Sequence, residues 1–508
     1  MVCYEGFFYI YALKTGFMQR PLKKFSAFAA SLLPFEADYL LDIHQFQDPE
    51  NIRLLKTIVH NSRHPGQTKP YSLKVDKRKY SYLKKWITEK LDTVNVDVFF
   101  EWLSEMDRKI MTDALDQEDE KRIISIIRQY EKPGFYFIRF YELVQNYQNF
   151  LLIRMRQNYY DIAGSFLEKY KEEYDRSRSI NQRLHQATRD IVRQYAEYDT
   201  EAAQREKWLL DVFYNEDLDG LNRYLAVVRL VFLYYNYKDY HRLIEIFEYL
   251  EIGFKKGELY SPRILVNYYA NRLLVHSRHN ELELAETFGY LSIRYRSNDY
   301  LYYLINLCAV LLRKGKYTGA LQLLNRSFPE LKKTISPHTR IGFISYYIQT
   351  LWRNRRAAEA VSYAHTALQT DRLEIMQHRW HLFFTSYMQA LLATEKYRDI
   401  LALVRRYKLL EKDKKAQKRA GYTPNLIWMH QLASYKQLAI SQEQLLNTLY
   451  ETALPCLADQ HKYFLLKELC TDLRIHEAEV FDRLHNELFK NPPEKIKPES
   501  NTQFPYSL

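Results

Sequence analysis

The stretch LLRKGKYTGALQLL, from Leu311 to Leu324, carries a pattern that returns along the second half of the chain. An aromatic residue, Tyr317, stands three positions before a small one, Ala320, and a short polar turn precedes both. Residues three apart share a face of a helix, so the small residue lets two helices approach closely while the tyrosine fills the gap beside it. The stretch therefore predicts a helical hairpin whose second helix is opened by Ala320.

The pair returns at steps of about 35 to 42 residues, a range typical of stacked helical hairpins. One hairpin cannot bury its apolar face alone, and stacking gives neighbouring hairpins a continuous core. We align the chain on the small or aliphatic member of each pair and call it the anchor. The anchors are Leu243, Ala285, Ala320, Ala360 and Ile400, and the residues three positions earlier are Tyr240, Leu282, Tyr317, Ala357 and Tyr397.

The composition supports long helices in a soluble protein. The 508 residues include only 13 glycines and 15 prolines, which favours helices with short loops over a β-sandwich or barrel. No stretch approaches twenty uninterrupted apolar residues, so no membrane span is predicted. The four cysteines are scattered without a CxxC pair, which argues against structural zinc and is typical of a reducing, cytoplasmic compartment. The net charge of +12 favours acidic partners.

The chain is divided into five predicted segments. We hypothesise that residues 1–17 are a mis-called extension and that Met18 is the alternative start. The alternating run from Thr93 to Phe100 is predicted to be an isolated strand. The segments are 1–24, an N-terminal segment; 25–215, a helical region; 216–452, the repeat array; 453–490, a C-terminal helical cap; and 491–508, a proline-rich polar tail predicted to be disordered.

The repeats resemble the tetratricopeptide repeat family over roughly residues 221–410. The resemblance implies an α-solenoid of two-helix units that binds a protein or peptide along its concave surface. The matching positions are the turn glycine, the aromatic residue and the alanines of the second helix. They are occupied by Gly315, Tyr317, Ala320, Ala360, Ala367 and Leu368.

Three arginines occupy one register position. Arg278, Arg313 and Arg353 each stand seven residues before an anchor, and in the family this position lines the concave groove. A ladder of arginines would offer forked donors to carboxylates or phosphates. The alternative is structural, because a cation near a helix C-terminus is favoured by the helix dipole by about 0.3–1 kcal/mol. Both interpretations stay open.

Other side chains are candidates for the groove or for a second kind of ligand. The same register gives Gln349 and Gln389 as groove candidates, and Trp352 stands beside Arg353. A basic stretch, Arg405–Arg419, is the main alternative and could hold a nucleic acid, although charge runs are more often solvated helix faces. Lysines alternate with aromatic residues in Lys74–Trp86 as well. The nucleic-acid candidates are Arg405, Arg406, Lys414, Lys415, Lys418 and Arg419.

Catalytic and metal motifs are scarce. His378 and His381 have a spacing that can bind a metal, but no third ligand stands at helical spacing, and we predict no metal and no cofactor. The sequence contains no GxGxxG, no P-loop and no GxSxG. An enzyme with an unrecognised site in the N-terminal half remains an alternative.

The sequence therefore predicts an all-α protein: a helical N-terminal region, an α-solenoid of stacked hairpins and a helical cap. The resemblance implies a non-catalytic scaffold that binds another protein or a peptide, and the positive groove candidates indicate an acidic ligand. Nucleic acid is the second choice of partner. The oligomeric state and the identity of the partner stay open.

Overall fold

The computed structural model describes residues 22–64, 67–193, 200–417 and 422–490. Every regular element in these ranges is a helix, which confirms the predicted all-α class. The strand predicted at Thr93–Phe100 is wrong, because Asn95 ends one helix there and begins the next. Its side chain accepts a hydrogen bond from the backbone N–H of Asp97 as an N-cap. The possible start at Met18 and the tail at 491–508 lie outside the described residues.

The chain divides into two compact units, with the boundary between Leu265 and Val266. In the first unit the bounds are α1 (Lys23–Ser31), α2 (Pro34–Ile43), α3 (Pro49–Arg63), α4 (Lys77–Val94), α5 (Val96–Met111), α6 (Gln117–Gln129), α7 (Phe137–Ile153), α8 (Gln157–Lys169), α9 (Lys171–Arg193), α10 (Thr200–Tyr214), α11 (Gly220–Tyr237) and α12 (Tyr240–Lys255). Helix α13 (Pro262–Arg278) crosses the boundary.

A buried glutamate that is paired with one tyrosine and one arginine occurs twice in the first unit. The carboxylate of Glu120 in α6 accepts a hydrogen bond from the Tyr147 hydroxyl at 3.3 Å and pairs with Arg156. Glu206 in α10 repeats the arrangement with the hydroxyl of Tyr234, at 2.9 Å, and with Arg242. Each glutamate joins three helical segments, and its charge is compensated by a hydroxyl and a guanidinium, as a buried carboxylate requires.

The second unit is a run of helical hairpins. Its helices after α13 are α14 (Leu282–Ser292), α15 (Tyr300–Arg313), α16 (Tyr317–Arg326), α17 (Phe328–Leu331), α18 (Pro337–Arg353), α19 (Ala357–Thr370), α20 (Arg372–Gln377), α21 (Trp380–Leu392), α22 (Tyr397–Tyr407), α23 (Leu409–Ala416), α24 (Asn425–Lys436), α25 (Gln442–Ala453), α26 (Gln460–Leu473) and α27 (Ala478–Phe489).

The predicted pairs mark where the second helices begin. Helices α12, α14, α16, α19 and α22 each start at the residue three positions before an anchor, and all five anchors are 0 % exposed. In the second unit the first helices α15, α18, α21 and α24 contact one another in sequence. The second helices α16, α19 and α22 each pack between their own first helix and the next one. The buried small residue is therefore the point where two layers of helices meet.

Candidate functional site

One stripe of each first helix remains partly exposed. In α15 it is formed by Tyr302, Asn306, Ala309 and Arg313, at successive spacings of four, three and four residues. The corresponding residues of α18 are Gly342, Tyr346, Gln349 and Arg353, of which the last three are partly exposed. We call these two stripes, together with Trp352 and with Gln389 of α21, the first-helix face.

Arg313 is held by four acceptors. Its Nε donates to Glu468 Oε1 at 2.8 Å, and its Nη2 donates to Asn280 Oδ1 at 2.8 Å. Its Nη1 lies 3.1 Å from the carbonyl oxygen of Ser277 and 3.2 Å from the hydroxyl of the same residue. The side chain is only 10 % exposed. The guanidinium therefore joins the turn of the preceding hairpin to helix α26.

Arg353 repeats the contact one hairpin further along. Its Nη2 pairs with Asp472 Oδ2. The guanidinium carbon lies 4.2 Å from the centroid of the Trp352 ring and 5.6 Å from that of the Tyr317 ring. Stacking of this kind fixes the plane of the fork before a carboxylate arrives. The aromatic residue of the repeat thus also supports the arginine of the next hairpin.

Both carboxylates come from one helix. Glu468 and Asp472 are four residues apart on α26 and so share a face of it. Burial raises the pKa of Glu468, and Arg313 lowers it by less; burial likewise raises the pKa of Asp472 against the opposing effect of Arg353. For both carboxylates the desolvation cost therefore exceeds the attraction of the arginine, so these buried ion pairs add little net stability.

Among the described residues, the third arginine of the predicted ladder forms no ion pair with α26. Arg278 is the last residue of α13 and is partly exposed. Within the part of the chain that the structure describes, its guanidinium forms no ion pair. The ladder position thus carries two arginines that are engaged by α26 and one that is not.

Each of four successive first helices contains a buried polar atom without a hydrogen-bond partner among the described residues. Two of them, on Trp352 and Gln389, are sequence candidates. The other two, on Asn306 and His430, were missed, because a lone polar residue in an apolar helix gives no local signal. Burying such an atom costs about 1–3 kcal/mol unless a ligand or water satisfies it. The atoms are Asn306 Nδ2, Trp352 Nε1, Gln389 Oε1 and His430 Nδ1.

The basic candidates for nucleic acid lie on solvent-facing positions. Arg405 and Arg406 end α22, Lys414 and Lys415 end α23, and all four are exposed. None of the four pairs with a carboxylate in the described ranges. Tyr407, the aromatic residue of this stretch, is buried. Lys418 and Arg419 lie outside the described residues.

The two histidines with a metal-binding spacing, His378 and His381, lie in different surroundings. His381 Nε2 lies 3.4 Å from Asp413 Oδ1, and the other oxygen of Asp413 accepts a hydrogen bond from Tyr422 at 2.6 Å. His378 ends α20 and is not part of this cluster. Among the described residues no group of three or more His, Cys, Asp or Glu side chains could hold a metal ion. In the same ranges no helix is both long enough and apolar enough to cross a membrane.

No protein-family model, curated protein or solved structure matches this chain, so the geometry of the first-helix face is the basis for assigning its function.

Proposed function

We propose that the second unit is a non-catalytic, tetratricopeptide-like scaffold that binds an acidic segment of another protein along the first-helix face. The observation that carries this proposal is the pair of contacts to α26. Two arginines at the same position of successive hairpins hold two carboxylates that one helix presents on one side. A face that binds two carboxylates of its own chain has the chemistry to bind the carboxylates of an acidic segment of a partner.

The positions of three residues with unpaired polar atoms support the same proposal. Asn306, Trp352 and Gln389 belong to the first-helix face and are partly exposed, so a peptide bound there would lie beside them. Stacked hairpins hold these residues in fixed positions, so the scaffold loses little conformational entropy when a ligand binds.

In this proposal helix α26 is an internal competitor. A tethered group acts at an effective concentration of about millimolar, so an external acidic segment must outcompete Glu468 and Asp472 for Arg313 and Arg353. Burial raises the pKa of both carboxylates, so each internal pair carries a desolvation cost. Removing the two carboxylates would leave the arginines available.

The test uses the full-length chain and a fluorescent peptide with the sequence of residues 460–473, in which Cys470 is replaced by serine. We expect Glu468→Gln with Asp472→Asn in the protein to tighten peptide binding about tenfold, measured by fluorescence anisotropy, because the internal competitor is lost. Adding Arg313→Gln and Arg353→Gln should remove that gain.

The matched control is Glu443→Gln with Glu451→Gln, two exposed carboxylates of α25, which should leave the affinity unchanged. A peptide with its own Glu468→Gln and Asp472→Asn changes should bind at least tenfold more weakly. Equal binding of the charged and neutral peptides would contradict the proposal.

The two alternatives receive less support. In the stretch Lys74–Trp86, Tyr80 is buried and Trp86 packs against Phe46 at 4.6 Å between ring centroids. This leaves Tyr82 as the exposed aromatic residue that could stack on a base. The buried glutamates of the first unit, Glu120 and Glu206, are paired by arginine and tyrosine, as in a structural network.

A cytoplasmic location is part of this proposal. Cys308, Cys456 and Cys470 are buried free thiols. Burial raises the pKa of each of these thiols, which keeps them protonated and unreactive. Free thiols in a folded chain are typical of a reducing compartment.

A further inference from the structure

Arg379 reaches the first-helix face from a neighbouring hairpin. It directly precedes α21 with a left-handed backbone (φ 45°), a conformation that non-glycine residues seldom adopt. Its guanidinium lies on Gly342 of α18: a Cβ atom at that position would come within 3.1 Å of Nη1 and 3.3 Å of Cζ. Because glycine has no Cβ atom, the guanidinium can lie at this position on the first-helix face.

The hydrogen bonds of Arg379 leave most of its donors open. Its Nε donates to His338 Nε2 at 2.7 Å, so His338 accepts with that nitrogen and carries its proton on Nδ1. Desolvation, with the nearby charges of Arg379 and His378, holds the pKa of His338 below its usual value. In the described part of the chain Arg379 has no carboxylate partner, and its two terminal nitrogens make no hydrogen bond.

Two tyrosines of the first-helix face lie close to Gly342 by their positions on their helices. Tyr346 follows Gly342 by one turn on the same stripe of α18, and Tyr302 precedes by one turn Ile305 of α15, whose Cδ1 would also meet a Cβ atom at Gly342. Within the described ranges neither tyrosine hydroxyl has a hydrogen-bond partner. Burial raises the pKa of Tyr346, and the nearby guanidinium groups of Arg379 and Arg313 oppose that rise. Three side chains with unused donors therefore belong to the surroundings of Gly342.

The surrounding backbone favours negative charge as well. Tyr302 lies in the first turn of α15, His338 in the first turn of α18, and Arg379 immediately before α21. Helix N-termini carry a partial positive charge that stabilises anions. Arg379 precedes α21 and contacts His338 in the first turn of α18, so an anion bound at its guanidinium would be stabilised by two helix N-termini.

We propose that Arg379, Tyr302 and Tyr346 form a carboxylate-binding site on the first-helix face. The role of this site as a contact for the acidic ligand rests on the proposed function. Its binding of a small carboxylate does not depend on that function. Gly342 and Arg353 are eleven residues apart on α18, which corresponds to about 16 Å along a helix. The ligand would therefore present acidic groups at two places about 16 Å apart, one at Arg379 and one at Arg313 and Arg353.

The test measures thermal unfolding of the full-length chain with 20 mM sodium malonate against sodium chloride of equal ionic strength. We expect malonate to raise the melting temperature of the wild-type chain by about 2–3 °C. Arg379→Gln should abolish this shift, and Tyr346→Phe, which keeps the ring, should reduce it by about half. Arg405→Gln, at an exposed position, should retain it in full.

Four outcomes decide the inference. A malonate shift that is the same in wild type and Arg379→Gln overturns it, and a larger Arg379-dependent shift with inorganic phosphate overturns the preference for carboxylate. An Arg379-dependent malonate shift in a chain that fails to bind the 460–473 peptide supports the site and contradicts the proposed function. Peptide binding without an Arg379-dependent malonate shift supports the proposed function and contradicts the Arg379 site. Failure of the site and failure of the proposed function therefore give different results.

Discussion

At the residue scale, the turns of the hairpins share a backbone conformation that most of their residue types do not predict. The residue five positions before each anchor has a left-handed conformation, and the next residue donates its N–H to the carbonyl five residues back, as Lys316 does to Leu311 at 2.8 Å. This is the bond that closes a helix in a Schellman motif. The five left-handed residues are Lys238, Asn280, Gly315, Arg355 and Glu395.

Gly315 and, more weakly, Asn280 are of residue types that favour this conformation. Glycine adopts a left-handed conformation without steric cost, whereas lysine, arginine and glutamate have no preference for it. Arg355 and Glu395 adopt it because the hairpin on either side fixes the turn. The helix ends are therefore imposed by packing at these turns.

Two glycines of one hairpin should respond in opposite ways to the same substitution. Gly315→Ala should lower the free energy of unfolding by about 1 kcal/mol, because its φ of 69° strains any residue with a Cβ atom. Gly319→Ala should raise it by about 0.5–1 kcal/mol, because it lies inside α16 and an added Cβ would meet nothing within 4 Å. Urea denaturation of both variants provides the measurement. Equal effects would show that the turn does not require glycine.

At the element scale, the positions of the second helices could be predicted and the contacts of α26 could not. The Tyr-x-x-Ala pattern is local, so five helix starts followed from spacing. Arg313 and Glu468 are 155 residues apart in the sequence. No local pattern specifies such a pair, since it depends on where the end of the chain packs. The sequence thus indicated the arginines as candidates and left their partners unknown.

A larger side chain at an anchor position should push the two layers of helices apart. Ala360→Leu should lower the free energy of unfolding by about 1–3 kcal/mol, because Ala360 is 0 % exposed and three added carbons cannot be accommodated without moving α19. Ala358→Leu, at an exposed position of the same helix, should change it by less than about 0.5 kcal/mol. The denaturation midpoints of the two variants give the comparison. A neutral Ala360→Leu variant would mean that the anchor does not set the approach of the helices.

At the scale of the whole molecule, histidines with a lowered pKa make the second unit sensitive to acid. Partial desolvation lowers the pKa of four of them. The unfolded chain then binds more protons than the folded chain below the ordinary histidine pKa of 6.5, so the stability present above that value is lost as the pH falls. The carboxylates Glu468 and Asp472 act in the opposite direction, because burial raises their pKa values above the ordinary 4.5 and 3.8. The folded chain therefore binds protons at these groups before the unfolded chain does as the pH falls. The histidines are His279, His338, His430 and His476.

We therefore expect the urea midpoint of the full-length chain to fall between pH 7.5 and pH 5.5. His430→Gln should make that fall smaller, because the variant has one group fewer to protonate on unfolding. His365→Gln, at an exposed position of α19, is the control and should leave the pH dependence as it is in the wild type. A midpoint that is constant across this range would contradict the argument.

The sequence by itself determined the helical class, the repeated hairpins and the buried anchors, because helix periodicity and small-residue contacts are properties of short segments. It also identified Arg313 and Arg353 as residues of one register. Only the tertiary structure decided that these arginines meet α26 and that Arg379 lies on Gly342. Those contacts depend on how separate hairpins pack against one another, and side chains that are distant in sequence leave no shared pattern in it.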